Sequence, residues 1–410
     1  MKTFTGGIEL KYRGRSRGVK ITQLTPPKTL KLKIKKPEVE AGESILVGSF
    51  LGSGVVSPVS GKIVSVNDGY VIIENDFKEN YNYRLEPHLG DITETDKDEL
   101  IDIIEDAGIT YGKKSLADIL VKYDGLIDTL IVNSVESDIY VSNKYHLVNE
   151  HGKAIVGGCK ILQYILGLQN ATILADDDLI SVFNRLEKEI HGNTITLENV
   201  KRKYPQDNNR ILVRALSGIP SSQEKNPLSL GILVLNCEIA AQVYYACVGG
   251  NYAISHLVTV DGDCVEPHCF SVLNGTTAKD IIDLCKIDMT ECFAVYDGGV
   301  MRGKPVIDYD MPVSSSLIFL SEEAVRRDGE FDECIRCGKC ADVCPVFLKP
   351  YKTVEWYNGQ IKAEKVKIKN CIKCGCCDYV CPSKLPLRNY SALLKREQVI
   401  NSVISQDEDE

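Results

Sequence analysis

Nine of the sixteen cysteines in this 410-residue chain fall between Cys334 and Cys381, and their spacing constrains the fold more than any other feature. The first run reads C-I-R-C-G-K-C-A-D-V-C-P and supplies Cys334, Cys337, Cys340 and Cys344, followed by Pro345. The second reads C-I-K-C-G-C-C-D-Y-V-C-P and supplies Cys371, Cys374, Cys377 and Cys381, followed by Pro382. With only two residues between them, three thiols can wrap one compact centre inside a single tight loop. Gly338 and Gly375 give such a loop the positive φ it needs. The proline after each fourth cysteine fixes φ and keeps the chain from folding back on the centre.

Zinc and iron–sulfur centres both use clustered cysteines, and spacing separates them. Zinc ribbons want C-x2-C pairs with a longer gap between them and four ligands per ion. Both runs here are C-x2-C-x2-C-x3-C-P, the pattern of bacterial two-cluster ferredoxins, and the reading is two [4Fe–4S] clusters. In that pattern the fourth cysteine of each run ligates the other cluster. The expected sets are therefore Cys334, Cys337, Cys340 and Cys381 for cluster one, and Cys344, Cys371, Cys374 and Cys377 for cluster two. Cys376 has no role in the spacing and reads as a packed thiol. With every iron held by cysteine, no coordination site is left for substrate, so a linked pair suits electron relay better than catalysis. No catalytic residues are assigned.

The bulk properties fit a redox protein of the cytoplasm. Apolar content of 44% and charged content of 26% are those of a globular chain. A net charge of −9 argues against nucleic acid as a partner. No apolar run reaches the roughly 20 residues that span a bilayer, and the N-terminus carries no secretory h-region. Eleven Lys and Arg stand against one Glu in the first 36 residues, a solvated face or a docking patch for an acidic redox partner.

Upstream of the clusters the pattern predicts a multidomain α/β protein. Residues 1–95, with short β-branched runs broken by Gly and Pro, read as a small β domain. Its stretch Val56 to Val66 looks like the hairpin of a biotinyl/lipoyl-type barrel-sandwich, with Ser60 and Gly61 at the tip where a cofactor lysine would stand. Residues 96–250 alternate helix and strand, including a helix from Asp177 to Ile190, and predict an α/β domain with a mainly parallel sheet. Residues 251–322 place strand pairs around one helix, in the manner of a β-grasp. Residues 323–402 form the cluster domain, helical and ferredoxin-like, and 403–410 an acidic tail. Cys159, Cys237, Cys247, Cys264, Cys285 and Cys292 lack ligand spacing and read as core residues.

In this domain order the chain resembles the RnfC family, the NADH-facing subunits of Rnf electron-transport complexes, and the flavin-binding subunit of respiratory complex I. The likeness is strongest in the cysteine runs and clear at L-V-T-V-D-G-D-C-V, which looks like the start of an SLBB β-grasp domain. I-V-N-S-V-E-S-D-I-Y and V-L-N-C-E-I-A-A are similar to two family motifs of the flavin site, matching at Asn133, Glu136 and Tyr140 and at Asn236 and Glu238. The resemblance thus marks Asn133, Glu136, Asn236 and Glu238 as remnants of a flavin site. The family's glycine-rich loop, which cradles FMN and admits NADH, is missing. Its place is taken by A-G-I-T-Y-G-K-K-S-L-A-D (Ala107 to Asp118), and the family's Glu-Pro is replaced by Asp138-Ile139. Such loops hold phosphate only because glycine lets backbone N–H groups approach. The sequence therefore argues against NADH oxidation and leaves FMN open.

Three readings follow. One is a soluble RnfC-like carrier passing electrons between redox proteins, of the PrdC kind that serves D-proline reductase in amino-acid-fermenting anaerobes. Another is a component of a membrane Rnf complex, peripheral to the membrane, that oxidises NADH through FMN. The third is a binding scaffold whose clusters are only structural.

Overall fold

In the computed structural model the described residues are 2–11, 14–82, 85–87, 92–176, 179, 182, 190, 194–218, 226–325 and 332–407. Most of the helix expected from Asp177 to Ile190, and the last three residues of the acidic tail, lie outside them.

The centre of the molecule is a four-stranded parallel sheet. Its spatial order is Ile195–Val200, Ala171–Asp176, Thr129–Asn133 and Ile232–Asn236. The two middle strands are almost wholly buried, because helices cover both faces. On one face helices Asn143–Ile165 and Cys237–Gly249 pack together, so closely that a Cβ on Gly158 would lie 1.7 Å from the Ala240 carbonyl oxygen. On the other, helix Asn209–Ser217 buries Leu212 and Val213 against Ile131, Leu174 and Val234. The helix expected over Ala154 to Leu168 starts earlier, at Asn143, and runs through Gly152 with a kink at His151.

The β domain forms a four-stranded antiparallel sheet, Thr29–Lys33, Tyr70–Asn75, Gly61–Asn67 and Ser44–Ile45. The tip expected at Ser60 and Gly61 is absent. Ser60 is buried and Gly61 opens a strand, while the tight turn falls at Asp68 and Gly69, both at positive φ. That pair forms the two-residue connection favoured by strand twist.

The sequence assigns residues 1–95 to one β unit, but residues 2–24 pack elsewhere. Lys2 bridges to Val200 and Ile8 to Tyr204, and strand Ile21–Gln23 pairs in parallel with His268–Leu273 of the next unit. Alternation within this segment is too weak to show which sheet a strand joins. Several of the basic residues among the first 36 are paired within the chain. Lys2 meets Glu198, Arg15 meets Asp261, and Lys31 lies over the Tyr70 ring.

Residues 255–320 form a mixed sheet around helix Ala278–Cys285. Strands Ser255–Gly262 and Ser316–Leu320 run parallel at its centre, flanked by antiparallel His268–Leu273 and Ala294–Asp297. Thr277 and Asp280 close a capping box at the helix start.

The C-terminal segment is built from a repeat. Positive φ recurs at Arg336 and Lys373, at Gly338 and Gly375, and at Phe347 and Lys384. Short helices Lys339–Asp342 and Cys376–Tyr379 occupy equivalent places, and the long helix Leu387–Asp407 packs beside them.

Candidate metal centres and the adjoining cleft

The repeat carries the cysteines with it. Cys334, Cys337, Cys340 and Cys381 line one cavity, walled by Tyr351, Leu385 and Leu387. The fourth member thus comes from the second run. In the other set, Cys344 of the first run packs with Cys371 among Leu348, Val366, Ile368 and Leu394. Cys344 lies within electrostatic reach of Cys371 and Cys374, and Cys377 within reach of the same two. The donor sets suit iron–sulfur clusters, being thiols alone in largely apolar walls. Backbone N–H groups already point at sulfur: Leu348 donates to Cys344 Sγ at 3.3 Å and Lys373 to Cys371 Sγ at 3.4 Å. Such bonds stabilise thiolate charge and help set a cluster's potential. Cys376 is 1% exposed and packs against Tyr204 and Met301, with its thiol in hydrogen-bond contact with that of Cys374.

The second cysteine loop rests on the body of the protein. The Tyr204 hydroxyl donates to the Cys374 carbonyl at 2.5 Å. Arg388 donates to the carbonyls of Met301 and Gly303 at 2.8 and 2.9 Å. Gly375 lies so near the Met301 carbonyl that a Cβ would stand 2.4 Å from it. Arg302, the next residue along, lines a cleft of about 460 Å³.

Topology dictates where that cleft lies. From the first strand, Thr129–Asn133, the chain winds outward one way, and the last strand, Ile232–Asn236, adds on the other side. A ligand crevice forms at such a reversal, beyond the carboxyl ends of the strands. Asn133 and Asn236 end the two strands, and both line the cleft, as do Glu136 and Glu238. The structure therefore brings together all four residues that the resemblance marked. It also shows what occupies them. Asn236 caps helix Cys237–Gly249 by accepting from the Glu238 N–H. Glu136 accepts from the Lys144 and Tyr145 N–H groups at 3.4 Å, at the start of helix Asn143–Ile165. Asn133 donates to the Asp207 carbonyl at 3.0 Å.

The cleft's charge comes mainly from carboxylates. Burial raises the Glu136 and Glu238 carboxyls above their ordinary range. Burial also pushes Asp138 up to about 7, against the pull of Arg302. Burial alone would raise Asp207 as well, but Arg302, Lys144 and the Ser137 hydroxyl together outweigh it and hold that carboxyl low. Sequence reasoning missed Asp207, Arg302 and Tyr204, which lie far apart in the chain and carry no motif.

The volume of the cleft falls in the range of ligand pockets, but its ends fit FMN unequally. The polar groups around Asn133 and Asn236 suit a ring or a sugar. A phosphate would need free backbone N–H groups or an uncommitted cation. The helix-start donors described above are taken by Glu136 and Asn236, Lys144 donates to the Val135 carbonyl at 2.9 Å, and Arg302 is paired with Asp207. Within the segment Ala107 to Asp118, Thr110–Tyr111 pairs with Lys114–Ser115 in a closed hairpin, and helix Leu116–Lys122 follows at once. Among the described residues, those that line the cleft do not fit the phosphate of FMN.

Comparison with known proteins finds matches to two family profiles. The profile of the Nuo51 FMN-binding domain matches residues 104–245, and that of the 4Fe-4S dicluster domain matches residues 330–385. Among similar proteins is the C subunit of the proton-translocating ferredoxin:NAD(+) oxidoreductase complex of Clostridium ljungdahlii, 28% identical over 77% of this chain and 73% of the relative. Another is the C subunit of the Na(+)-translocating ferredoxin:NAD(+) oxidoreductase complex of Acetobacterium woodii, 28% identical over 86% of this chain and 87% of the relative. The C subunit of the ion-translocating oxidoreductase complex of a Buchnera aphidicola subspecies is 28% identical over 81% of this chain and 70% of its own. A chain of the NAD+-reducing [NiFe]-hydrogenase in its H2-reduced state shares the fold, with a TM-score of 0.50 at 14% identity over 69% of this chain and 53% of that one. With a dicluster domain behind a Nuo51-type domain, this chain is RnfC-like, similar to the C subunits of ion-translocating oxidoreductase complexes over most of its length.

Proposed function

We propose that the chain relays electrons between redox proteins through two [4Fe–4S] clusters. Cys334, Cys337, Cys340 and Cys381 would hold one, and Cys344, Cys371, Cys374 and Cys377 the other. The observation that carries this reading is that Cys381 of the second run joins three cysteines of the first around one cavity, while Cys344 of the first lies near Cys371 and Cys374 of the second. Bound clusters supply reversible one-electron storage. The protein's own residues exclude water with Leu348, Val366, Ile368, Leu385 and Leu387, and aim backbone N–H groups at sulfur. The second set adjoins the cleft, while Cys337 of the first is exposed. That arrangement supports an inner end facing the body of the protein and an outer end facing a partner.

The domain reading belongs to the same proposal. The central sheet and its cleft make up an RnfC-type α/β unit at 96–250. The strand order of residues 255–320 supports an SLBB β-grasp at 251–322. A barrel-sandwich is assigned to the β domain from residue 25 onward. Among the described residues no helix is long and apolar enough to cross a membrane. The relatives' names place them in ferredoxin:NAD(+) oxidoreductase complexes, so a redox subunit of such a complex is the partner class proposed. Nothing in these relatives favours a proline-reductase partner. The Nuo51 profile match supports a second reading, oxidation of NADH through FMN, and the filled helix starts of the cleft weigh against it.

Two assays separate the readings. In an anaerobic mixture of a reduced donor, this protein and a terminal reductase, turnover should require this protein and vanish with Cys334→Ala or Cys371→Ala. Folded variants that still support turnover would remove the clusters from the electron path and favour the scaffold. NADH-dependent reduction of an artificial acceptor should be negligible. Brisk oxidation with bound flavin would restore the second reading.

A further inference from the structure

Cys264 and Cys292 are separated by 28 positions and meet in space. Cys264 follows strand Ser255–Gly262, and Cys292 lies in the loop between helix Ala278–Cys285 and strand Ala294–Asp297. Their sulfurs are 2.9 Å apart. Non-bonded carbons rest about 3.5–4.0 Å apart, and sulfur is larger than carbon. These two atoms are thus closer than simple packing places them, and within 1 Å of the roughly 2.05 Å of a disulfide bond.

Both loops are held in place by their own hydrogen bonds. Arg15 donates to the carbonyls of Gly262 and Val265, at 2.7 and 2.5 Å, on either side of Cys264. The Asp263 carboxylate accepts from the Ser321 N–H at 2.8 Å. Across the gap, Asp288 accepts from the Thr290 N–H at 2.9 Å, and the Phe293 N–H donates to the Leu320 carbonyl at 2.8 Å. The thiols are half-buried beside Val265, Ile287 and Met289, open enough for a small molecule to reach. The proposed cluster sets and the cleft make no use of either.

We propose that Cys264 and Cys292 form a dithiol site that closes to an intramolecular disulfide when it meets a small disulfide oxidant. One cysteine, as thiolate, attacks a sulfur of R–S–S–R. The oxidant's S–S bond breaks and one RS– leaves, taking up a proton. The second cysteine then attacks the protein sulfur of the mixed disulfide, forming the Cys264–Cys292 bond and releasing a second RSH. Two electrons and two protons pass to the oxidant. Burial pushes the Cys264 thiol up to about 12 and raises Cys292. The thiolate fraction is therefore small and closure is slow, and the fixed geometry favours the second step over release of the mixed disulfide. The bond would tie the exit of strand Ser255–Gly262 to the entry of strand Ala294–Asp297 in the same sheet, a covalent brace on residues 255–320.

The test uses the full-length, cluster-loaded chain, held anaerobically with oxidised glutathione, then acid-quenched, alkylated and mapped by mass spectrometry without reduction. The expected product joins the Cys264 and Cys292 peptides, reverts with dithiothreitol and raises Tm by several degrees. In Cys264→Ser, Cys292 should stop at the mixed disulfide with glutathione and Tm should not move. Mixed disulfides at both cysteines of the unmutated protein would overturn the proposal, as would linkage of either to Cys285. Free alkylation of both after prolonged exposure would overturn it equally.

Discussion

The two cysteine loops share one backbone and have opposite surroundings. Gly338 and Gly375 both sit near φ +80, yet a Cβ on Gly338 would meet nothing within 4 Å, whereas one on Gly375 would strike the Met301 carbonyl. Ile335 is 67% exposed, while its counterpart Ile372 packs beside Phe4, Ile211 and Ala215. Cys337 is exposed, and Cys374 accepts the Tyr204 hydroxyl on its carbonyl. A repeat fixes what the loops hold, and the contacts around each loop fix which way it faces. One end of the pair is built into the protein, and the other is exposed.

The largest effect should come from mixing the two sets. Cys344→Ala removes a thiol of the first run and should abolish the cluster proposed at Cys371, Cys374 and Cys377. Iron should fall from about eight to about four per chain. Loss of the cluster at Cys334, Cys337 and Cys340 instead would show that each run serves itself.

The glycines sharpen the asymmetry. Alanine at either position meets the left-handed backbone penalty, about 1–2 kcal/mol. Gly375→Ala adds a clash with fixed backbone and should cost at least about 2 kcal/mol more than Gly338→Ala, by analogy with overpacking. Anaerobic denaturant unfolding of the two variants measures the difference, and equal losses would mean that the inner loop does not press on Met301.

A smaller change probes the junction. Tyr204→Phe deletes one buried hydrogen bond and should cost on the order of 1 kcal/mol. It should shift the potential of the cluster nearer the body and leave the outer one unmoved. Equal shifts in both would contradict the placement of Tyr204 at one end only.

How much of this was legible in the sequence depended on whether a feature was local. The cysteine runs carry their geometry in their spacing, since three ligands of each set fall within one short loop. Asn133 and Asn236 were readable only through resemblance, and they converge because two strands lie side by side. Tyr204, Asp207 and Arg302 left no trace, because nothing in a sequence says that residue 207 faces residue 302 across a sheet end. Cys264 and Cys292 read as ordinary core for the same reason. The N-terminal segment looked like part of the β domain because its strands are short, and its parallel pairing with His268–Leu273 is a tertiary choice.

The most direct test of the account is a potentiometric titration of the anaerobically purified chain, followed by electron paramagnetic resonance alongside iron and sulfide analysis. The account predicts about eight irons and eight sulfides per chain and two signals that appear and vanish reversibly with potential. Stoichiometric zinc with little iron, or clusters that cannot be cycled, would contradict it.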